Sequence, residues 1–314
     1  MKKVLLMAAA AATLFSSCMN NSDNGYGELE PVIPGLQIYD YASVQNRIAM
    51  QPIDMALRLA ILEAEADKQE AATGTRPALE QVRVGATQVY ERFFGQNNGT
   101  KIESVPEGYR ITFAPTTIKD YYMCKGTMTV KTDGKPLNAS PVPWTVELDP
   151  GFQVLLATSG AQSYQAVDMT AGEFSIGRLN GLYQITMRNV EVAQSGKSIR
   201  SAWDGSFTLT PPLGGENLAW SDLSEKTFTF DGSARGASLF SLDNATSLEF
   251  AYEAEKGVFG SPYQIQGGKE TCRLLNGALL TETFPSPLVT ITWTLLGNYR
   301  LHQTIVYNGH TVTR

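Results

Sequence analysis

The sequence predicts a mainly β fold of antiparallel meander units preceded by an N-terminal helical segment, α+β overall. Three observations predict it. From about Lys101 onward, Thr, Val, Ile and aromatic residues gather in short runs separated by Gly, Pro and Asp, as in successive strands and turns. One long stretch, Tyr41 to Ala72, carries apolar residues at helical spacing. Within the β part, three landmarks recur in the same order three times.

In the helical stretch, Ile53, Leu57 and Ile61 form one apolar row, and Met55, Leu59, Leu62 and Ala66 another. Asp54, Arg58 and Glu65 leave a narrow wet stripe, so the helix needs a broad apolar surface, which a sheet face supplies. Pro52 suits the first turn, Asp54 complements the helix dipole, and Gly74 ends the helix. The next apolar positions, Leu79, Val82, Ala86, Val89 and Phe93, step by threes and fours. That spacing predicts a second helix, against Gly85 and the valines, which favour strands.

The first landmark is Gly108-Tyr109-Arg110-Ile111-Thr112, echoed by Leu182-Tyr183-Gln184-Ile185-Thr186 and by Pro262-Tyr263-Gln264-Ile265. The second is a glycine-led strand at Gly126 to Val130, Gly205 to Leu209 and Gly277 to Leu280. The third is aromatic-Thr-apolar at Trp144 to Val146, Phe228 to Phe230 and Trp293 to Leu295. The tyrosines stand 74 and 80 residues apart, which places candidate repeats near 101–150, 175–235 and 255–314. Each unit would be a small antiparallel meander, and stacking or pairing of units would complete the core, with the long helix covering one face or end.

The start of the chain is a targeting segment. Lys2 and Lys3 precede an apolar run, Val4 to Phe15, too short for a permanent span of about 20 residues. Ser16, Ser17 and Cys18 close it, a pattern read by lipoprotein processing, in which the cysteine is acylated. Phe15 stands where leucine is usual, and Ser17 where glycine or alanine is usual. This looseness, with the polar run after it, resembles envelope lipoproteins of the Bacteroidota. The resemblance covers about the first 25 residues and implies an outer-membrane lipoprotein on the periplasmic or cell-surface face. The chain then divides into a signal and anchor at 1–18, a flexible tether at 19–40, a helical segment at 41–96 and a β domain at 97–314.

With 43% hydrophobic and 18% charged residues, the chain can bury a core. Removing the signal takes two lysines and moves the net charge from -6 to -8, which repels phosphate backbones and argues against nucleic acid as a partner. Apart from Cys18, the cysteines are Cys124 and Cys272. In a linear stack a whole unit separates them, beyond the Cα reach of about 7 Å for a disulfide, so both are expected as thiols.

Only two histidines exist, His302 and His310. Asn308-Gly309 predicts a two-residue hairpin that sets His310 opposite Tyr307 and Val312 opposite Ile305. His302 then lies on the order of 17 Å from Tyr307 at strand rise, on the opposite face from His310, so the two cannot share a metal. No zinc spacing, nucleophile elbow or phosphate-cradling glycine motif occurs. Gly232-Ser233-Ala234-Arg235-Gly236 places its serine wrongly for an elbow and reads as a turn. Glu249, Glu253 and Glu255 cluster as a solvated strand edge would. No cofactor, metal ligand set or catalytic residue is therefore assigned.

Trp203 and Trp220 flank the Pro-Pro-Leu-Gly-Gly stretch and are the candidate ligand-binding residues, since an aromatic face can stack on a sugar ring. Trp144 and Trp293 occupy a repeated strand position and read as core. The function expected is that of a membrane-tethered, non-enzymatic structural or adhesion component of the envelope. The alternatives are a surface glycan-binding module and a glycoside hydrolase-like enzyme using paired carboxylates. The partners implied are the membrane, through the lipid anchor, and a glycan or envelope protein.

Overall fold

The computed structural model describes residues 48–95, 99–115, 122–157, 164–194, 200–211, 217–220, 228–239, 247–260, 264–275, 288–295 and 301–313. Cys18, the tether and the beginning of the expected first helix lie outside the described residues. Helix α1 spans Gln51–Thr73, with Pro52 in its first turn, where a missing N–H costs nothing. It stops at Gly74, whose left-handed φ of 76° turns its N–H onto the Glu70 carbonyl at 2.8 Å. No helix among the described residues is long and apolar enough to cross a membrane.

The expected second helix is corrected. Leu79–Gln81 is a single 3-10 turn, followed by a two-strand ribbon, β1 (Arg83–Val84) and β2 (Thr87–Gln88). Only Val89–Phe94 is helical (α2). Gly85 decides it: its φ of 57° reverses the chain between β1 and β2 and cannot continue a right-handed helix. Val82, Val89 and Phe93 are buried as expected, but they do not share one continuous helix.

The rest is one antiparallel sheet. Its strands are β3 (Lys101–Val105), β4 (Gly108–Phe113), β5 (Tyr122–Lys131), β6 (Trp144–Leu148), β7 (Gln153–Ala157), β8 (Tyr164–Leu179) and β9 (Leu182–Gln194). They continue as β10 (Arg200–Thr210), β11 (Phe228–Leu239), β12 (Ser247–Gly260), β13 (Gln264–Leu274), β14 (Leu288–Leu295), β15 (Leu301–Tyr307) and β16 (His310–Thr313). Each strand pairs with its neighbour in sequence, except that β6 and β7 share the place between β5 and β8. The expected antiparallel meander runs on as one continuous sheet. The landmarks fall on β4, β9 and β13, on β5 and β10, and on β6, β11 and β14, while Tyr263 and Gly277 to Leu280 lie outside the described residues. Pairing crosses from β11 to β12 as regularly as it runs within a unit, so no boundary separates the second unit from the third.

One face of this sheet is the core. Helix α1 lies against β5, β6 and β8, and a single buried cluster runs from Ile48 through Trp144, Ile185 and Trp203 to Ile305 and Tyr307. Burial of that continuous apolar face is the main stabilising term, at about 25 cal/mol per Å² removed from water.

The long central strands are interrupted midway. On β8 the buried positions are Val167 and Met169, then Phe174 and Ile176; on β9 they are Tyr183, Ile185 and Met187, then Val190 and Val192. In both the alternation slips by one, and both pairings show irregular register there. Asn189 takes the left-handed conformation, φ 46°, and its N–H is accepted by Asp204 Oδ1 at 2.8 Å. These are β-bulges: each inserts a residue so that apolar side chains on both halves of a strand still face the core.

Candidate functional site

Beside the bulge, β9, β10 and β11 form a shallow depression of about 460 Å³. It is bounded by Thr186 and Arg188 of β9, Asp204 and Ser206 of β10, and Ser233 of β11. Arg188, Asp204, Ser206 and Ser233 are exposed and Thr186 is half-buried. The bulge sets its shape. By accepting the Asn189 N–H at 2.8 Å, Asp204 has one carboxylate oxygen fixed. Gly205 faces the core instead, where a Cβ would fall 2.8 Å from Met187 Cε and 3.0 Å from Ala234 Cβ. One guanidinium, one carboxylate and three hydroxyls stand around a lining that also includes Met187, Gly205 and Ala234, so the charges there balance one against one.

The three hydroxyls belong to a longer row. Ser206 is the register partner of both Thr186 and Ser233. Thr186 in turn pairs with Ser175, and Ser175 with Thr145. Beyond Ser233 the row passes through Glu253 to Thr271 and Thr290. Neighbouring members sit about 4.8 Å apart, the strand spacing.

A second polar group lies under α1. Glu63 is 5% exposed, and its Oε1 accepts from the Tyr109 hydroxyl, with Arg76 Nη2 at 3.7 Å. Its Oε2 is buried with no hydrogen-bond partner among the described residues. Burial holds the Glu63 carboxyl above its usual range, against the lowering effects of Tyr109 and Arg76. Tyr109 is raised too, by burial and by the neighbouring Glu63. The folded protein therefore keeps a proton that the unfolded chain has already shed, so Glu63 favours folding in acid. Its contribution falls as pH rises through the ordinary glutamate range toward the raised value. Urea midpoints at about pH 4 and about pH 7 should show a smaller loss for Glu63→Gln than for the wild type. Asp54, also raised by burial despite Arg58 at 2.9 Å, keeps part of the slope in the variant. An unchanged difference would mean Glu63 titrates as an ordinary surface acid.

The residues singled out in the sequence fall elsewhere. Trp203 is 0% exposed on the core face, with its indole N–H donated to Ser201 Oγ at 3.0 Å. Trp220 is 7% exposed and packs edge-on against Phe93, ring centres 5.3 Å apart. The expectation of ligand-stacking tryptophans is corrected, because neither ring offers a face to solvent. Phe93 packs against one, and Trp203 stands on the core face of β10, across from Gly236 in the strand register. Trp144 is buried, as expected for a core position.

The Asn308-Gly309 hairpin forms with φ values of 48° and 77° and pairs Tyr307 with His310 and Ile305 with Val312. His302 pairs with Thr294 and lies on the other side of the sheet from His310. Cys124 and Cys272 are buried thiols that no disulfide joins. Burial, reinforced by Asp54, pushes the Cys124 thiol far up and disfavours its thiolate. Gly232 to Gly236 is interior to β11 rather than a turn. Glu249, Glu253 and Glu255 stand on β12, which is paired on both sides, so they are not at a sheet edge. Among the described residues no three His, Cys, Asp or Glu side chains converge as a metal site would require. Comparison with family models, with curated proteins and with solved structures finds no match to this chain.

Proposed function

We propose that the protein is a non-enzymatic structural or adhesion component of the cell envelope, held at the membrane through an acylated Cys18, with the solvated face of its sheet as the working surface. The observation that supports this reading most is the division of the sheet. One face is committed to a single core cluster running from α1 to β15. The other presents exposed Arg188, Asp204, Ser206 and Ser233 around an open depression. A broad, rigid, polar surface around a shallow depression suits contact with a large partner better than enclosure of a small reacting molecule. The charged start, short apolar run and Cys18 supply the address.

Labelling cells with a fatty-acid analogue should mark the wild type and not Cys18→Ser. A strain lacking the protein should become sensitive to detergent, and the wild type, but not Cys18→Ser, should restore resistance. Equal labelling of both forms, or of neither, rules out the anchor; full restoration by Cys18→Ser rules out a role that depends on it.

A further inference from the structure

We infer that the depression between β9, β10 and β11, with the hydroxyl row running through it, is a binding site for an extended, electrically neutral polysaccharide. The inference rests on the reading above that the solvated sheet face is the working surface, and it names the partner class of that face.

Three features converge. First, the row Thr145, Ser175, Thr186, Ser206 and Ser233 crosses five adjacent strand positions without a break, with Thr271 and Thr290 beyond Glu253. A row perpendicular to the strands, repeating every 4.8 Å or so, offers hydrogen-bonding groups along a line. Polysaccharides carry hydroxyls along a line, and each hydroxyl both donates and accepts, as serine and threonine do. Second, the row is not what strand preference alone would produce. Threonine is favoured on strands, but serine is not among the residues strands enrich, and Ser175, Ser206 and Ser233 hold interior strands of the sheet. The short side chains of Ser206 and Ser233 leave the depression open where a larger β-former would fill it. Third, the charges are matched. Arg188 and Asp204 both line the depression, one donor fork and one acceptor, and the Asn189 N–H holds the Asp204 carboxylate in place. Such a pair binds vicinal hydroxyls, donating to one and accepting from the next, and confers no net attraction for a polyanion. The chain's net charge of -6 disfavours a polyanion further.

The test uses the full chain, purified in detergent and run in native gels containing β-glucan, α-glucan, mannan or xylan, with polygalacturonate as the anionic comparison. At least one neutral polymer should retard the wild type, and polygalacturonate should not. Thr186→Val with Ser206→Ala removes two hydroxyls while keeping the branched and small shapes, so the sheet should survive, as a melting curve will show. Retardation by the same polymer should then weaken about tenfold, the size expected for two neutral hydrogen bonds. Ser233→Gln, which fills the depression without charge, should weaken it as well. The inference is overturned if no neutral polymer retards the chain, if only polygalacturonate does, or if the folded variants bind as the wild type does. A chain that is acylated and restores detergent resistance yet ignores every neutral polymer defeats this inference alone. A chain that binds but is not acylated at Cys18 defeats only the anchor.

Discussion

Trp203→Ala is expected to cost about 3–5 kcal/mol, the range for truncating a large buried aromatic. The ring is fully buried on the core face of β10, between Val190 of β9 and Gly236 of β11 in the strand register. Removing it takes away a large apolar area and leaves a cavity in the core. The indole N–H now bonded to Ser201 Oγ at 3.0 Å disappears with it, so a hydrogen bond is lost along with the packing. Against a typical total stability of about 5–15 kcal/mol, the loss is a large fraction. Urea unfolding of wild type, Trp203→Ala and Trp203→Phe should give midpoints in the order wild type, Phe, Ala. A tryptophan standing at the surface as a ligand platform would behave differently, costing no more than about 0.5 kcal/mol on truncation. Midpoints that coincide would return Trp203 to the surface.

The same residue shows where local pattern stops being informative. Trp203 stands shortly before a Pro-Pro-Leu-Gly-Gly stretch, and proximity to a loop suggests exposure. Its neighbour on β11 is Gly236, more than thirty residues further on, and that pairing exists only once the register of β10 with β11 is known. The Asn308-Gly309 hairpin is legible for the opposite reason: a two-residue turn carries its register within itself. Helix α1 is legible from Pro52, Gly74 and its apolar rows, but the fate of its acids is not. Glu65 belongs by spacing to a wet stripe and is 4% exposed, with Lys68 at 3.4 Å; Glu63 lies beneath Tyr109. A helix pattern shows which face is polar, and it cannot show what a distant strand lays over that face.

The bulge on β9 does leave a trace in the sequence, one that a search for repeats passes over. Its apolar residues Tyr183, Ile185, Met187, Val190 and Val192 keep a period of two except for one step of three at Arg188-Asn189. A slip of that kind, with an asparagine able to take a left-handed conformation, signals a bulge within an otherwise alternating strand. The hydroxyl row has no such signal. Each member is an ordinary strand residue, and the row appears only when the strands are laid side by side.

Gly232→Ala is the second substitution expected to have a large effect, at about 3 kcal/mol or more, from overpacking and backbone strain together. A Cβ at Gly232 would stand 2.4 Å from the Ser206 carbonyl oxygen and 2.5 Å from Phe207 Cα, both backbone atoms of β10. No rotamer change can relieve those contacts, so β10 and β11 must separate, at a cost of about 1–3 kcal/mol for overpacking alone. The backbone adds to it, because φ is 156° at Gly232, a conformation that residues with a Cβ rarely adopt. Gly181→Ala supplies the comparison. Gly181 has φ 80° in the turn between β8 and β9, and a Cβ there would meet nothing within 4 Å, so the variant carries backbone strain without a clash. It should lose only about 1–2 kcal/mol. Because Gly232 lies on the strand that carries Ser233, the Gly232 variant should also lose whatever polysaccharide binding the sheet face possesses, before it loses the far strands. Hydrogen exchange would show this as protection falling first across β10 and β11 while β4 and β5 stay protected. Equal losses for the two glycine variants would mean that β10 and β11 are not packed as closely as their register requires.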